Sequence, residues 1–160
     1  LAVEMASLAE QRPQSLEKAI DLWKAALKLR PGLPPAVAAL RRLYVKGEKW
    51  NALLELLKEE LERLPPDAAD EKVELYLEMV PIYRDRMKLD VMVSNTYQAI
   101  LQLRPEHAGA LEALAGWHEG KGRFSELVQV LGRLAEATRD PAAKAATWRR
   151  IAGVWSDKLG

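Results

Sequence analysis

Apolar residues in this chain recur at steps of three and four. Leu16, Ala19, Ile20, Trp23, Ala26 and Leu27 make one face of a helix over about 15–30, and Pro31-Gly32 ends it because proline has no N–H for the helical ladder. Pro34-Pro35 can open a helix but not sit inside one. Val37, Leu40, Leu43 and Tyr44 supply the next face, which stops near Gly47. Trp50, Leu53, Leu54, Leu57 and Leu61 carry a third helix to Pro65-Pro66. Asp67 or Asp70 is placed to cap the following helix, whose face is Val73, Leu77, Val80 and Tyr83 and whose interior Pro81 predicts a kink. Further helices are predicted over 89–103, 108–121, 124–138 and 141–159. The opening Leu1, Val3, Met5 and Leu8, without an initiator Met, predict a chain that starts inside a helix, an excised piece of something longer. The expectation is about nine helices and no strand.

The helices repeat. Pro31 and Pro105, Trp23 and Tyr97, Leu40 and Leu114, Trp50 and Phe124, Leu53 and Leu127, and Leu57 and Leu131 are each 74 residues apart. Superposing Leu16–Pro31 on Trp50–Leu64 divides that period into steps of 34 and 40, the extra residues lying in 64–70. A helix pair of this length cannot bury its own apolar face and must use its neighbour's, so the predicted fold is all-α, an α-solenoid of antiparallel helix pairs. The predicted units are 1–32, 33–66, 67–106, 107–140 and a terminal half-unit 141–160. Trp23, Trp50, Tyr97 and Phe124 are expected between layers, with Trp50→Ala costing about 3–5 kcal/mol.

This pattern resembles tetratricopeptide repeats. Leu111, Leu114, Ala115 and His118 match the first helix of that repeat, Gly122-Arg123-Phe124 its turn, and Leu127, Leu131 and Leu134 its second helix. Ala19, Trp23, Ala26 and Pro31 match a second helix with its closing proline, as do Tyr97, Ile100 and Pro105. The chain departs where Gly47 precedes Trp50 by two intervening residues, where Lys88 takes the turn glycine's place, and where Pro81 replaces a small residue. The resemblance implies a right-handed superhelix and a concave groove lined by the first helices; no catalytic motif stands out from the charged background, so no enzymatic activity is expected.

Composition narrows function by exclusion. Apolar residues are 49% and charged residues 29%, enough for a core. With 24 Lys and Arg against 23 Asp and Glu, the net charge of +1 disfavours nucleic-acid binding, so an RNA-binding repeat is the weakest alternative. The absence of cysteine excludes disulfides, thiolate nucleophiles and cysteine-held metals. No apolar run is long enough to span a membrane, and a cytoplasmic location is expected. His118-Glu119-Gly120-Lys121-Gly122 starts like a zinc-protease motif, but Gly122 stands where its second histidine belongs. His107 and His118 are three helical turns apart, too far to share a metal, and capping or packing is the expectation for both. No cofactor and no metal are expected.

A surface remains. The first-helix positions implied by the resemblance make a partner-binding groove of Arg42, Tyr44, Lys46, Glu78, Ile82, Asp85, Glu112 and Glu119. The basic cluster Arg41, Arg42, Lys46 and Lys49 near Tyr44, with acids farther on, would suit a protein or peptide of matching charge pattern. The leading expectation is therefore a protein–protein interaction scaffold. The alternative is a self-assembly module that forms homo-oligomers by stacking Leu1, Met5 and Leu8 at one end on Trp148, Ile151 and Trp155 at the other.

Overall fold

The structure, a computed structural model, describes residues 3–4 and 16–160. Every regular element among the described residues is helical. They are α1 (Leu16–Leu29), α2 (Pro34–Lys46), α3 (Trp50–Arg63), α4 (Ala69–Pro81), α5 (Asp90–Leu103), α6 (Ala108–Gly120), α7 (Phe124–Ala137) and α8 (Pro141–Val154). Single π turns follow α4 at Ile82–Arg86 and α8 at Trp155–Leu159. The ninth expected helix, near the start of the chain, lies outside the described residues apart from helical Val3 and Glu4. The chain divides into two compact units, Leu1–Ala68 and Ala69–Gly160, within the 64–70 linker.

In the first unit α2 packs against both α1 and α3. Short turns make successive helices antiparallel, so α1 and α3 run the same way. Ile20, Trp23, Leu40, Leu54 and Leu57 are buried there. In the second unit each helix packs on the next in sequence, and α7 is held between α6 and α8. Its core joins Val73, Ile100, Leu111, Leu114, Leu127, Leu131, Leu134 and Ile151. Trp23 is 3% exposed, but Trp50, Tyr97 and Phe124 are only partly covered, a correction to their expected burial. Trp50 and Phe124 each open a helix, so a turn rather than a neighbouring helix flanks one side.

The helix ends show where local sequence was informative. His107 caps α6, its Nδ1 accepting from the Ala110 N–H at 3.0 Å, and Asp140 caps α8, its Oδ2 accepting from the Ala143 N–H at 2.8 Å. Asp70 is not a cap: it lies inside the first turn of α4 and pairs with Arg104. At Pro81 the disruption takes the form of a π turn, in which the Met87 N–H reaches the Ile82 carbonyl at 3.0 Å. Proline removes one ladder donor, and the widened turn adds one residue.

The π turn is part of what makes the repeat uneven: α4 is 13 residues and its π turn 5, where α6 is 13 with no such turn, and the linker before α4 is longer than the one before α6. After each first helix one residue adopts left-handed backbone: Glu48 (φ 52°), Lys88 (φ 57°) and Gly122 (φ 68°). These positions are separated by the 40 and 34 residues read from the sequence. The next N–H returns to the Tyr44 carbonyl from Lys49 at 2.8 Å and to the His118 carbonyl from Arg123 at 2.9 Å, five residues each. From Leu89 it returns to Tyr83 at 2.9 Å, six residues back because of the π turn. Tyr44, Tyr83 and His118 thus hold one structural position, and all three are buried. Gly47 has φ −91° and serves close approach instead: a Cβ there would lie 2.8 Å from Leu16 Cδ2.

Glu48 and Lys88 carry side chains where only glycine is free of steric cost. Glu48→Gly and Lys88→Gly are each expected to stabilise the protein by about 0.5–1.5 kcal/mol, the relief of left-handed strain less the greater entropy of an unfolded glycine. Denaturant midpoints measure this, and a lower midpoint for both would show that neither position is strained.

Candidate partner-binding surface

The first helices of the pairs, α2, α4, α6 and α8, position the residues expected in the groove. On α2, Arg42 and Lys46 are exposed, but Tyr44 is 4% exposed. This corrects the expected set. Residues two apart on a helix point to opposite sides, so Tyr44 cannot share a face with Arg42 and Lys46. Val45, 51% exposed, is the apolar residue that accompanies them. The basic cluster is also partly committed. Arg41 donates from Nε and Nη2 to Glu60 at 3.0 Å each, and Lys49 pairs with Glu17 at 2.8 Å.

On α4 and its π turn, Glu78 and Asp85 are exposed and Ile82 is buried, a second correction. The wider turn brings Ile82 and Tyr83 both inward. Asp85 accepts two hydrogen bonds from its neighbour Arg84, at 2.8 and 2.9 Å, and these hold its carboxyl below the ordinary carboxylate range. On α6, Glu112 and Glu119 are exposed, two turns apart on one side. Arg150 of α8 reaches both, from Nη1 to Glu112 at 2.9 Å and from Nη2 to Glu119 at 2.8 Å. Burial opposes the Arg150 charge, but the bonds to Glu119 and Glu112 more than offset it and raise the guanidinium above its usual value. Gly116 lies between the two acids, and a Cβ there would meet no atom within 4 Å. The second unit therefore presents bare helix backbone beside a carboxylate–guanidinium–carboxylate bridge.

Buried His118 is not a ligand candidate. Its Nδ1 has no hydrogen-bond partner among the described residues, and burial is the main cause that pushes its imidazole below 6.5. As pH falls through 6.5 the unfolded chain takes up a proton that the folded chain refuses, so stability falls. This acid-side slope, followed by denaturant midpoints, is expected to flatten in His118→Phe; an unchanged slope would place the titration elsewhere. Among the described residues, no three His, Asp or Glu groups are placed to hold a metal.

Two features escaped sequence reasoning. Arg104 of the Leu-Arg-Pro turn donates to Asp70 at 2.8 Å beside a cleft of about 720 Å³ in the second unit, lined by Val73, Leu77 and Pro105. The repeated turn marked Arg104, and its partner Asp70 lies in the first turn of α4. The first unit has a cleft of about 630 Å³ between α1 and α3, with Tyr44 at its wall.

Residues 110–145 match the model of the tetratricopeptide repeat, a span that includes most of α6, all of α7 and the start of α8. The chain carries a tetratricopeptide repeat over that stretch. Its fold is similar to that of YrrB, a tetratricopeptide-repeat protein with an unusual peptide-binding site: TM-score 0.52 and 14% identity, over 99% of this chain and 76% of that one. A kinesin light chain of Podosopora anserina with nearly identical tetratricopeptide-like repeats gives TM-score 0.46 and 14% identity, over 99% and 94%. No curated protein matches the chain. No helix among the described residues is long and apolar enough to cross a membrane.

Proposed function

We propose that the chain is a non-catalytic, cytoplasmic scaffold that needs no cofactor and binds a protein or peptide segment on the exposed faces of its first helices. The carrying observation is the convergence of Glu112, Glu119 and Arg150 around open backbone at Gly116. Carboxylates and a guanidinium at fixed spacing offer directional charge recognition, and the bare strip between them lets an extended main chain approach. Arg42, Val45 and Lys46 supply a cationic and apolar face in the first unit. Glu78 and Asp85 add acids on the second, and Tyr44 and Ile82 drop out of the contact set because they are buried. The peptide-binding site of YrrB supports the ligand class.

Arg42→Glu with Lys46→Glu is expected to reduce partner capture from the source cell at least tenfold, while far-ultraviolet circular dichroism is unchanged. Undiminished capture by that variant and by Glu112→Lys with Glu119→Lys would mean that the partner sits elsewhere. A second reading, self-association, is favoured by one observation: Trp148 and Trp155, seven residues apart, are 46% and 55% exposed. Ile151 is buried and leaves that face, and Leu1, Met5 and Leu8 lie outside the described residues. Sedimentation across a concentration series decides it, since a strict monomer at high concentration excludes end-to-end stacking.

A further inference from the structure

Ala145, Trp148, Ala152 and Trp155 are all exposed on α8 and follow one another at steps of three, four and three, the spacing of a helix–helix seam. The seam lies off the side that carries buried Ile151 and Val154, so packing on α7 leaves it clear. Indoles and alanines alternate along it.

The alternation has a centre. Trp148 and Ala152 lie two residues either side of position 150, and Ala145 and Trp155 lie five either side. A second α8 turned antiparallel about that point sets every indole against an alanine. A parallel pair would instead oppose tryptophan to tryptophan and alanine to alanine, giving crowded layers beside voids. The charges near the centre permit the antiparallel pair. Arg150 is held on another side of the helix by Glu112 and Glu119, and Arg149 turns back along its own helix, its Nε donating to the Ala145 carbonyl at 3.3 Å. That carries its guanidinium away from its symmetry mate and toward Trp155 of the second copy, whose ring face attracts a cation. Four half-exposed indoles amount to roughly 500 Å² of apolar surface. This is below the ~1,200 Å² of a stable interface, so the pair forms reversibly.

We propose that a second copy of this chain docks antiparallel on α8, with Trp148 and Trp155 of each copy seated on Ala152 and Ala145 of the other. This pairing rests on the self-association reading and closes it into a two-fold dimer instead of an open stack.

The test is sedimentation across a concentration series, in which the chain is expected to form dimers and nothing larger. Ala152→Trp, at an exposed position, sets indole on indole and should weaken dimerisation about tenfold or more. Trp148→Ala combined with Ala152→Trp exchanges the two sides of that layer and should restore dimerisation, with the circular dichroism spectrum unchanged in both proteins. The chain has no cysteine, so introduced thiols report geometry cleanly. With a short bismaleimide, Ala142→Cys mixed with Ser156→Cys should give a cross-linked dimer, and neither protein alone should do so. A strict monomer at high concentration overturns self-association and the pairing together, and leaves the α8 face to a different protein. Dimers that persist in Trp148→Gln with Trp155→Gln, no recovery in the exchanged variant, or self-cross-linking of Ala142→Cys overturn the pairing while self-association stands.

Discussion

Leu131→Ala is expected to lower the stability of the second unit by about 3–5 kcal/mol. Leu131 is 0% exposed and lies in α7, the helix packed against both α6 and α8. Leu111, Leu127 and Ile151 belong to the same core. Removing a buried leucine loses its transfer free energy and leaves a cavity whose cost depends on how far the surroundings collapse. Here α6 and α8 brace opposite sides of α7, so little collapse is available and the cost falls in the upper part of the range. A denaturant titration should move the midpoint with little change in slope. A loss below about 1 kcal/mol would mean that the layers close over the gap, and that the core is softer than its burial indicates.

The sequence located the helices because each begins and ends on strong local signals. Pro31-Gly32, Pro34 and Pro141 act within a residue or two of where they stand, and the observed boundaries fall that close to the expected ones. The repeat period was equally local: steps of 34 and 40 reappear in the left-handed residues 48, 88 and 122. Gly47 ends α2 as expected, though not through left-handed backbone. Glycine permits positive φ but does not require it, and here it makes room for Leu16 while Glu48 takes the strained position.

The candidate surface was less legible. Burial of Tyr44 was readable in principle, since its two-residue spacing from Arg42 and Lys46 opposes their faces. Burial of Ile82 was not, because the helix-face pattern assumes 3.6 residues per turn and Pro81 is followed by a π turn. Ion pairs between helices depend on packing, and although Arg104–Asp70 spans the 34-residue step, others leave no periodic signal. Arg150 meets Glu112 and Glu119 at separations of 38 and 31 residues, neither of which is a repeat step. The sequence therefore identifies charged first-helix positions but not which charges are already satisfied within the chain.

Trp23→Ala is the second large effect, expected at about 3–5 kcal/mol, whereas Trp50→Ala is expected to cost only about 1.5–3 kcal/mol. Sequence alone ranked the two together, since both are tryptophans on apolar faces of second helices. Their surroundings separate them. Trp23 is 3% exposed in the middle of α1, flanked along the helix by buried Ala19, Ile20 and Ala26. Trp50 is the first residue of α3, only partly covered, and its loss exposes less apolar surface. Because a repeat array transmits stability mainly between neighbours, Trp23→Ala should speed hydrogen exchange throughout α1–α3. Equal costs for the two tryptophans would show that burial does not rank them. Exchange confined to the turns beside residue 23 would show that α1 is not part of one cooperative unit with α2 and α3.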